Sequence, residues 1–201
     1  MSDEPRETVV RATCRALCAH GYANLTMQDI ADETDLSKAA LHYHYDTKRD
    51  LLTTFLDSLA SWYEGRLEDL PGDDPAARLH ALFDECLTTD ADADYPAFHT
   101  AMLEVKAQAP YEEAYRERLT AVDDVLRSRV EELVVEGIDE GVFREVDPEA
   151  TANFVASVVV GAHTRNVAVG HSLAETRALL DAYVDDHLLT DEGEATREAA
   201  R

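Results

Sequence analysis

Lys38, Ala39, His42, Tyr43 and His44 fall within one run of seven residues, and Lys48 follows four residues later. Those side chains in that order suit the reading of a nucleic-acid duplex. A lysine ammonium donates to a guanine edge or a phosphate, while a small alanine admits close approach or contact with a thymine methyl. Tyrosine hydroxyl and imidazole N–H groups donate to phosphate oxygens. A cation at Lys48 stands on the first turn of a helix, whose unpaired N–H groups already favour phosphate. The hydroxyls of Thr26 and Ser37 complete the candidate DNA contacts.

Short helices must hold these groups. Thr26 with Asp29 three residues on reads as a capping box that opens one helix, and Ser37 is a good N-cap for the next. Thr47 with Asp50 makes a second box, which opens a longer helix. A short helix, a tight turn and a second short helix describe helix-turn-helix geometry. Ile30, Ala31, Leu36 and Leu41 are expected to face inward. Asp35 is expected at the turn with positive φ, where Gly is usual and Asp is tolerated. His42 and His44 point to different sides of one helix and make a poor metal pair.

The remaining sequence also reads as helix. Arg6 to His20 carries Val9, Val10, Cys14, Leu17 and Cys18 at a 3.6-residue period, and Gly21 is a C-cap candidate. Further helices are expected over 76–89, 96–109, 111–140 with Pro110 at N1, 148–170 and 173–189. Two-residue hairpin signals and internal repeats are missing. The expected class is all-α with about nine helices.

Charge separates one region from the rest. The chain has 201 residues and a net charge of -24. Residues 1–50 hold six Lys or Arg against nine Asp or Glu, and the rest hold twelve against thirty-three. Within 36–49 the balance turns positive, with Lys38, Lys48 and Arg49 against Asp46. Lys106 is the only other lysine. A carboxylate-rich surface nearly cleared of lysine fits a halophilic setting, where a Debye length of ~3 Å at 1 M salt quenches self-repulsion. No run approaches the ~18 apolar residues of a membrane span, and the acidic N-terminus is unlike a leader, so a cytoplasmic location is expected.

Other constellations lead nowhere. Asp90, Asp92 and Asp94 copy the start of a calcium loop, but Tyr95 replaces its glycine and Ala101 its bidentate glutamate. Cys14 and Cys18 lie one turn apart and read as small core residues, and Cys86 stands far off. The sequence shows no nucleophile–base pair, metal set or phosphate loop. An enzyme is not expected, and neither is a cofactor.

GYANLTMQDIADETDLSKAALHYHYDTKRDLL resembles the N-terminal signature of the tetracycline-repressor (TetR) family of one-component transcriptional regulators. Gly21, Thr26, Ile30, Ala31, Ser37, Lys38, Leu41, His44, Tyr45, Lys48 and Leu51 fall on the family pattern. Asp35, His42 and Tyr45 depart from the usual Gly, Tyr and Phe. The resemblance implies a helix-turn-helix DNA-binding domain over 1–50 and an effector-binding and dimerisation domain over 51–201. It also implies a homodimeric repressor, bound to an inverted-repeat operator in double-stranded DNA and released by a small effector; the few polar residues near apolar stretches (His99, Lys106, His163, Asn166) point to an apolar or amphipathic one. Trp62, Phe83, Phe98, Met102, Tyr115, Val158 and His163 come from the helices that enclose effectors in the family; taken alone they read as ordinary core. The apolar helices within 148–189 need a further surface, and a second copy supplies one, with Val159 expected in the seam. The competing reading is a helical interaction protein of the same fold that does not bind DNA.

Overall fold

The computed structural model describes residues 3–88 and 95–191. Among these, nine α-helices follow in order: α1 (Asp3–Asn24), α2 (Met27–Asp32), α3 (Lys38–His44), α4 (Lys48–Glu68), α5 (Pro75–Leu87), α6 (Tyr95–Lys106), α7 (Glu113–Asp139), α8 (Pro148–Val169) and α9 (Leu173–Tyr183). A π-helical turn, Val184–Leu188, continues α9. The described residues contain no strand, only an isolated antiparallel bridge between Phe143 and Leu189. The all-α expectation holds. The chain gathers into two compact units, Met1–Trp62 with Asp92–Val122, and Tyr63–Ala91 with Asp123–Arg201. The first unit thus includes α6 and the starts of α4 and α7 as well as the three N-terminal helices.

In the first unit α1 buries Val9, Ala12, Thr13, Ala16 and Leu17, three or four residues apart along one face. The buried Thr13 hydroxyl is satisfied by donating to the Val9 carbonyl at 2.8 Å. Gly21 does not end the helix as its sequence context predicts. It kinks α1 with φ 70° and ψ 165°, after which one more helical turn runs to Asn24. The left-handed φ favours glycine there. Ile30, Leu41, Leu51, Leu52, Phe55, Leu56 and Val105 close the core with Met102 and Tyr115. Truncating one of these large side chains to alanine costs about 2–5 kcal/mol. Pro110 lies in a turn rather than at a helix start. Tyr111 and Glu112 both donate N–H groups to the Gln108 carbonyl, and α7 begins only at Glu113.

In the second unit Asp74 and Asp147 cap α5 and α8, accepting from Ala77 N at 2.7 Å and Ala150 N at 3.1 Å. A proline follows each cap in the first turn, where its missing donor costs nothing. The last expected helix narrows to 173–183 before widening into the π-turn, which Leu189 N closes on Val184 O at 3.0 Å. Its end is pinned by Arg144 N to Leu188 O at 2.8 Å and Thr190 N to Val142 O at 3.0 Å. Phe143 lies so close to Gly137 that an added Cβ would sit 2.0 Å from its ring. Val159, with Val155 and Ala162, is buried in this unit's own interior. The expectation that Val159 faces a second copy is therefore corrected: α8 turns that residue inward, because the apolar girdle of the helix has two sides.

Cys86 is buried, and its Sγ lies 2.9 Å from Tyr63 Oη. Burial pushes its thiol up to about 12, opposed in part by the Tyr63 hydrogen bond. An unfolded thiol titrates near ~8.5, so above that pH the unfolded chain binds fewer protons than the folded one. The thiol's contribution to stability is full below pH ~8.5 and declines as pH rises toward the folded value. At pH 8 iodoacetamide should spare Cys86 in the native chain and label it on unfolding, as read by peptide mass spectrometry. Native labelling at the unfolded rate would contradict this burial.

Candidate nucleic-acid interface

Local hydrogen bonds build the helix-turn-helix. Thr26 N and Oγ1 both donate to Asp29 Oδ2, at 2.8 and 2.7 Å, and Asp29 N returns a bond to Thr26 Oγ1 at 3.3 Å. The hydrogen bonds from Thr26 hold the Asp29 carboxyl below its usual range. Ser37 Oγ accepts from Ala40 N at 3.1 Å and starts α3. The second box forms likewise, with Thr47 N to Asp50 Oδ2 at 2.9 Å and Asp50 N to Thr47 Oγ1 at 3.2 Å.

The turn between α2 and α3 departs from expectation. No described residue other than glycine has positive φ, so Asp35 is not left-handed. Thr34 makes the turn instead. Its hydroxyl donates to Ala31 O at 3.0 Å and accepts from Leu36 N at 3.0 Å. A side-chain oxygen bonding the amide two residues on supplies the reversal that a left-handed residue would otherwise make. Arg15 braces the same turn, through Nε to Glu33 Oε2 and Nη2 to Glu33 O, both 2.7 Å.

On α3 only Leu41 is buried, and the following Tyr45 anchors the helix end. Burial pushes the Tyr45 phenol above its ordinary range. Lys38, Ala39, His42, Tyr43 and His44 are all exposed, and Tyr43 is 85% exposed. Four-residue spacing puts Lys38 with His42 and Ala39 with Tyr43 in two adjacent rows. Tyr43 meets His44 edge-on at 5.0 Å. Among the described residues Lys38 makes no ion pair. This face offers one strong cation, a small residue, a phenol and two imidazoles, a set suited to base edges flanked by phosphates.

Lys48 is placed differently. Its Nζ donates to Tyr22 O at 2.8 Å and lies 4.6 Å from the centre of the Tyr22 ring. Burial lowers its pKa. Arg49 Nη1 sits 3.5 Å from Glu112 Oε2. Sequence reasoning missed Tyr22 and Glu104, whose Oε2 accepts from Tyr22 N at 2.5 Å. That bond joins residues 82 apart in sequence, and no local pattern announces it.

The effector candidates divide between the units. Met102 and Tyr115 are buried in the first unit's core, Phe98 packs against it half-buried, and Trp62 is 53% exposed. In the second unit Phe83 is buried, while Val158 and His163 are half-buried. Among the described residues no group of three or more His, Cys, Asp or Glu could hold a metal ion, and no helix is long and apolar enough to cross a membrane. Asp90, Asp92 and Asp94 lie outside the described residues.

Two family models match the chain. The model for bacterial regulatory proteins of the tetR family matches residues 9–54, and the model for the BetI-type transcriptional repressor C-terminal region matches 75–189. The HTH-type transcriptional regulator BetI of Agrobacterium fabrum is 37% identical over 76 residues, 38% of this chain and 34% of that protein. The chain thus spans about a third of the length of this curated relative. A TetR transcription regulator from Haloarcula marismortui is similar throughout, with TM-score 0.85 and 41% identity over 94% of this chain and 100% of that one. A Saccharomonospora viridis regulator solved in complex with choline shares the fold at TM-score 0.79 and 21% identity, over 94% of this chain and 100% of its own. With both halves of the chain matched, the helix-turn-helix by one model and most of the remainder by the other, the protein belongs to the TetR family of transcriptional regulators.

Proposed function

We propose that the chain acts as a homodimeric repressor that binds an inverted-repeat operator through α3 and is released by a small apolar or amphipathic effector. The observation that carries this reading is the outer face of α3. Five neighbouring side chains of DNA-reading type are exposed there, on a helix held by one buried leucine, a serine cap and a buried tyrosine. Thr26 and Ser37, whose oxygens serve as caps, can add hydroxyl contacts to the backbone. Lys38 and Ala39 are assigned to base edges, and His42, Tyr43 and His44 to phosphates or neighbouring bases.

The acidic body does not forbid this. In molar salt its field decays within a few ångströms, ~3 Å at 1 M, and the positive stretch meets the phosphates on its own terms. We read the charge pattern as that of a protein working in a halophilic cytoplasm. For the effector, choline in the Saccharomonospora regulator names a first compound to assay. Of the candidate contacts, Trp62 and Phe98 in one unit and Val158 and His163 in the other have surface to offer a ligand.

The test is a gel shift with the chain's own upstream intergenic duplex in high KCl. Lys38→Ala, or a bulky residue at Ala39, should change which operator variants are preferred, each altered base pair being worth about 1–3 kcal/mol. A complete absence of duplex binding at every salt concentration would favour the interaction-protein reading instead.

A further inference from the structure

Folding takes up most of the positive charge that the sequence places beside α3. Residues 36–49 bring three cations, of which Lys48 gives its ammonium to the Tyr22 carbonyl at 2.8 Å and Arg49 lies 3.5 Å from Glu112. On α1, Arg15 is held by Glu33, and Arg11 lies 3.3 Å from Glu7. Among the described residues of α1 to α3 and the start of α4, two Lys or Arg side chains remain outside any hydrogen bond or ion pair. Lys38 stands exposed on the outer face of α3, and exposed Arg6 acts on the Tyr45 phenol at the helix end. Carboxylates flank the same helix. Asp35 before it and Asp46 after it are exposed and make no hydrogen bond or ion pair among the described residues. The other acids nearby are engaged: Asp29 and Asp50 in their capping boxes, Asp32 with Gln28 Nε2 at 2.7 Å, and Glu33 with Arg15.

A duplex therefore meets mainly uncharged donors on α3. These are the Tyr43 phenol, the His42 and His44 imidazoles, and the Ser37 hydroxyl, whose oxygen accepts from Ala40 N and whose proton is left to donate. An imidazole of ordinary titration range, near ~6.5, is mostly uncharged at neutral pH. The distinction matters in strong salt. A lysine or arginine on a phosphate gains by releasing condensed counterions, and that gain shrinks as the bulk concentration rises. The logarithm of affinity falls by about 0.9 per neutralised phosphate for each tenfold rise in salt. A neutral donor releases no counterion, so its bond persists. Between 0.5 and 2 M KCl eight cationic contacts would lose roughly 20,000-fold in affinity, whereas two cations on each of two copies lose at most about 150-fold.

We propose that α3 holds its operator through neutral donors, with Lys38 and Arg6 of each copy as the only cations brought to the duplex, so that binding persists in molar potassium chloride. Given the operator binding proposed above, on which this rests, His42, Tyr43 and His44 hydrogen-bond phosphate oxygens without exchanging counterions. Asp35 and Asp46 hold the charge of the contact face near zero. The same set responds to acid. Protonation turns two neutral donors of each copy into cations, and the dependence on salt steepens.

Fluorescence anisotropy of the full chain on its preferred duplex, from about 0.5 to 2 M KCl at pH 7.5, reads the slope of log affinity against log salt. That slope should lie between about −1.8 and −3.6, for one or two cations per copy. A slope of about −4 or steeper overturns the neutral-donor interface while operator binding itself stands. His42→Arg, at an exposed position outside the core, should steepen the slope by about 1.8. An arginine slope equal to the wild type's overturns the placing of position 42 on the DNA backbone. At pH 5.5, about one unit below the ordinary imidazole range, the wild-type slope should steepen by as much as about 3.6. His42→Gln together with His44→Gln should abolish that change. No steepening in acid overturns the two imidazoles as phosphate donors. If no duplex is bound at any salt, the proposed function and this mode of binding fall together.

Discussion

Phe154→Glu or Leu179→Glu should convert the protein from a dimer to a monomer near 22.3 kDa by light scattering. Operator affinity should fall at least a hundredfold, because two linked half-site contacts become independent ones. The two side chains are 45% and 72% exposed, unusual for such large apolar groups. They belong to one continuous face. Phe154 packs on Tyr183 with ring centres 5.0 Å apart, which joins the α8 row Phe154, Val158, Gly161 to the α9 row Leu179, Tyr183. Gly161 lies on the same row. A mid-helix glycine costs ~1 kcal/mol against alanine, yet nothing lies within 4 Å of where its Cβ would be. Close approach by the proposed second copy would account for that cost. A carboxylate here would be left unpaired in a desolvated seam. Val159→Glu is the contrasting control: it should unfold the second unit rather than separate two folded copies. Full dimer at micromolar concentration in both surface variants would move the interface elsewhere.

The melting temperature should climb steeply between 0.1 and 2 M KCl, with partial unfolding below about 0.5 M, where screening no longer masks the body's carboxylates. Residues 51–201 hold thirty-three carboxylates against twelve cations. Some arginines and one histidine join helices, while Arg127 and Arg129 pair within α7. Arg177 Nη1 reaches Asp84 at 2.7 Å, Arg78 reaches Glu136 at 2.8 Å, and His80 lies between Asp181 at 2.6 Å and Asp185 at 3.3 Å. These links leave most of the negative charge without a partner to offset it. At 0.1 M a Debye length of ~10 Å lets neighbouring charges within each unit repel, and at 2 M it does not. A melting temperature that stays flat across this range would remove the halophilic reading.

The sequence made the short-range architecture legible. The Thr26–Asp29 and Thr47–Asp50 boxes and the Ser37 cap are bonds between residues three apart, so residue type and spacing are enough to foresee them. The exposed face of α3 follows from the same periodicity. Orientation within a fully apolar helix was not legible: α8 carries valines on most sides, and only packing tells Val159, which is buried, from Val158, which is not. The turn at Thr34–Leu36 escaped because two chemistries make the same reversal, a left-handed residue or a side-chain oxygen bonding two residues on. The bond from Lys48 to the Tyr22 carbonyl was not legible, since its partner lies 26 residues back and depends on a kink. Glu104 was invisible for the same reason over a greater distance.

Because α3 is fastened by Leu41, Tyr45 and the Ser37 cap, the five positions that face outward carry almost no responsibility for the fold. On the function proposed above, mutation there should change what is read without taxing the ability to fold. A lineage carrying this arrangement can explore new target sites one residue at a time, and a laboratory library varied at 38, 39, 42, 43 and 44 would consist largely of well-folded members.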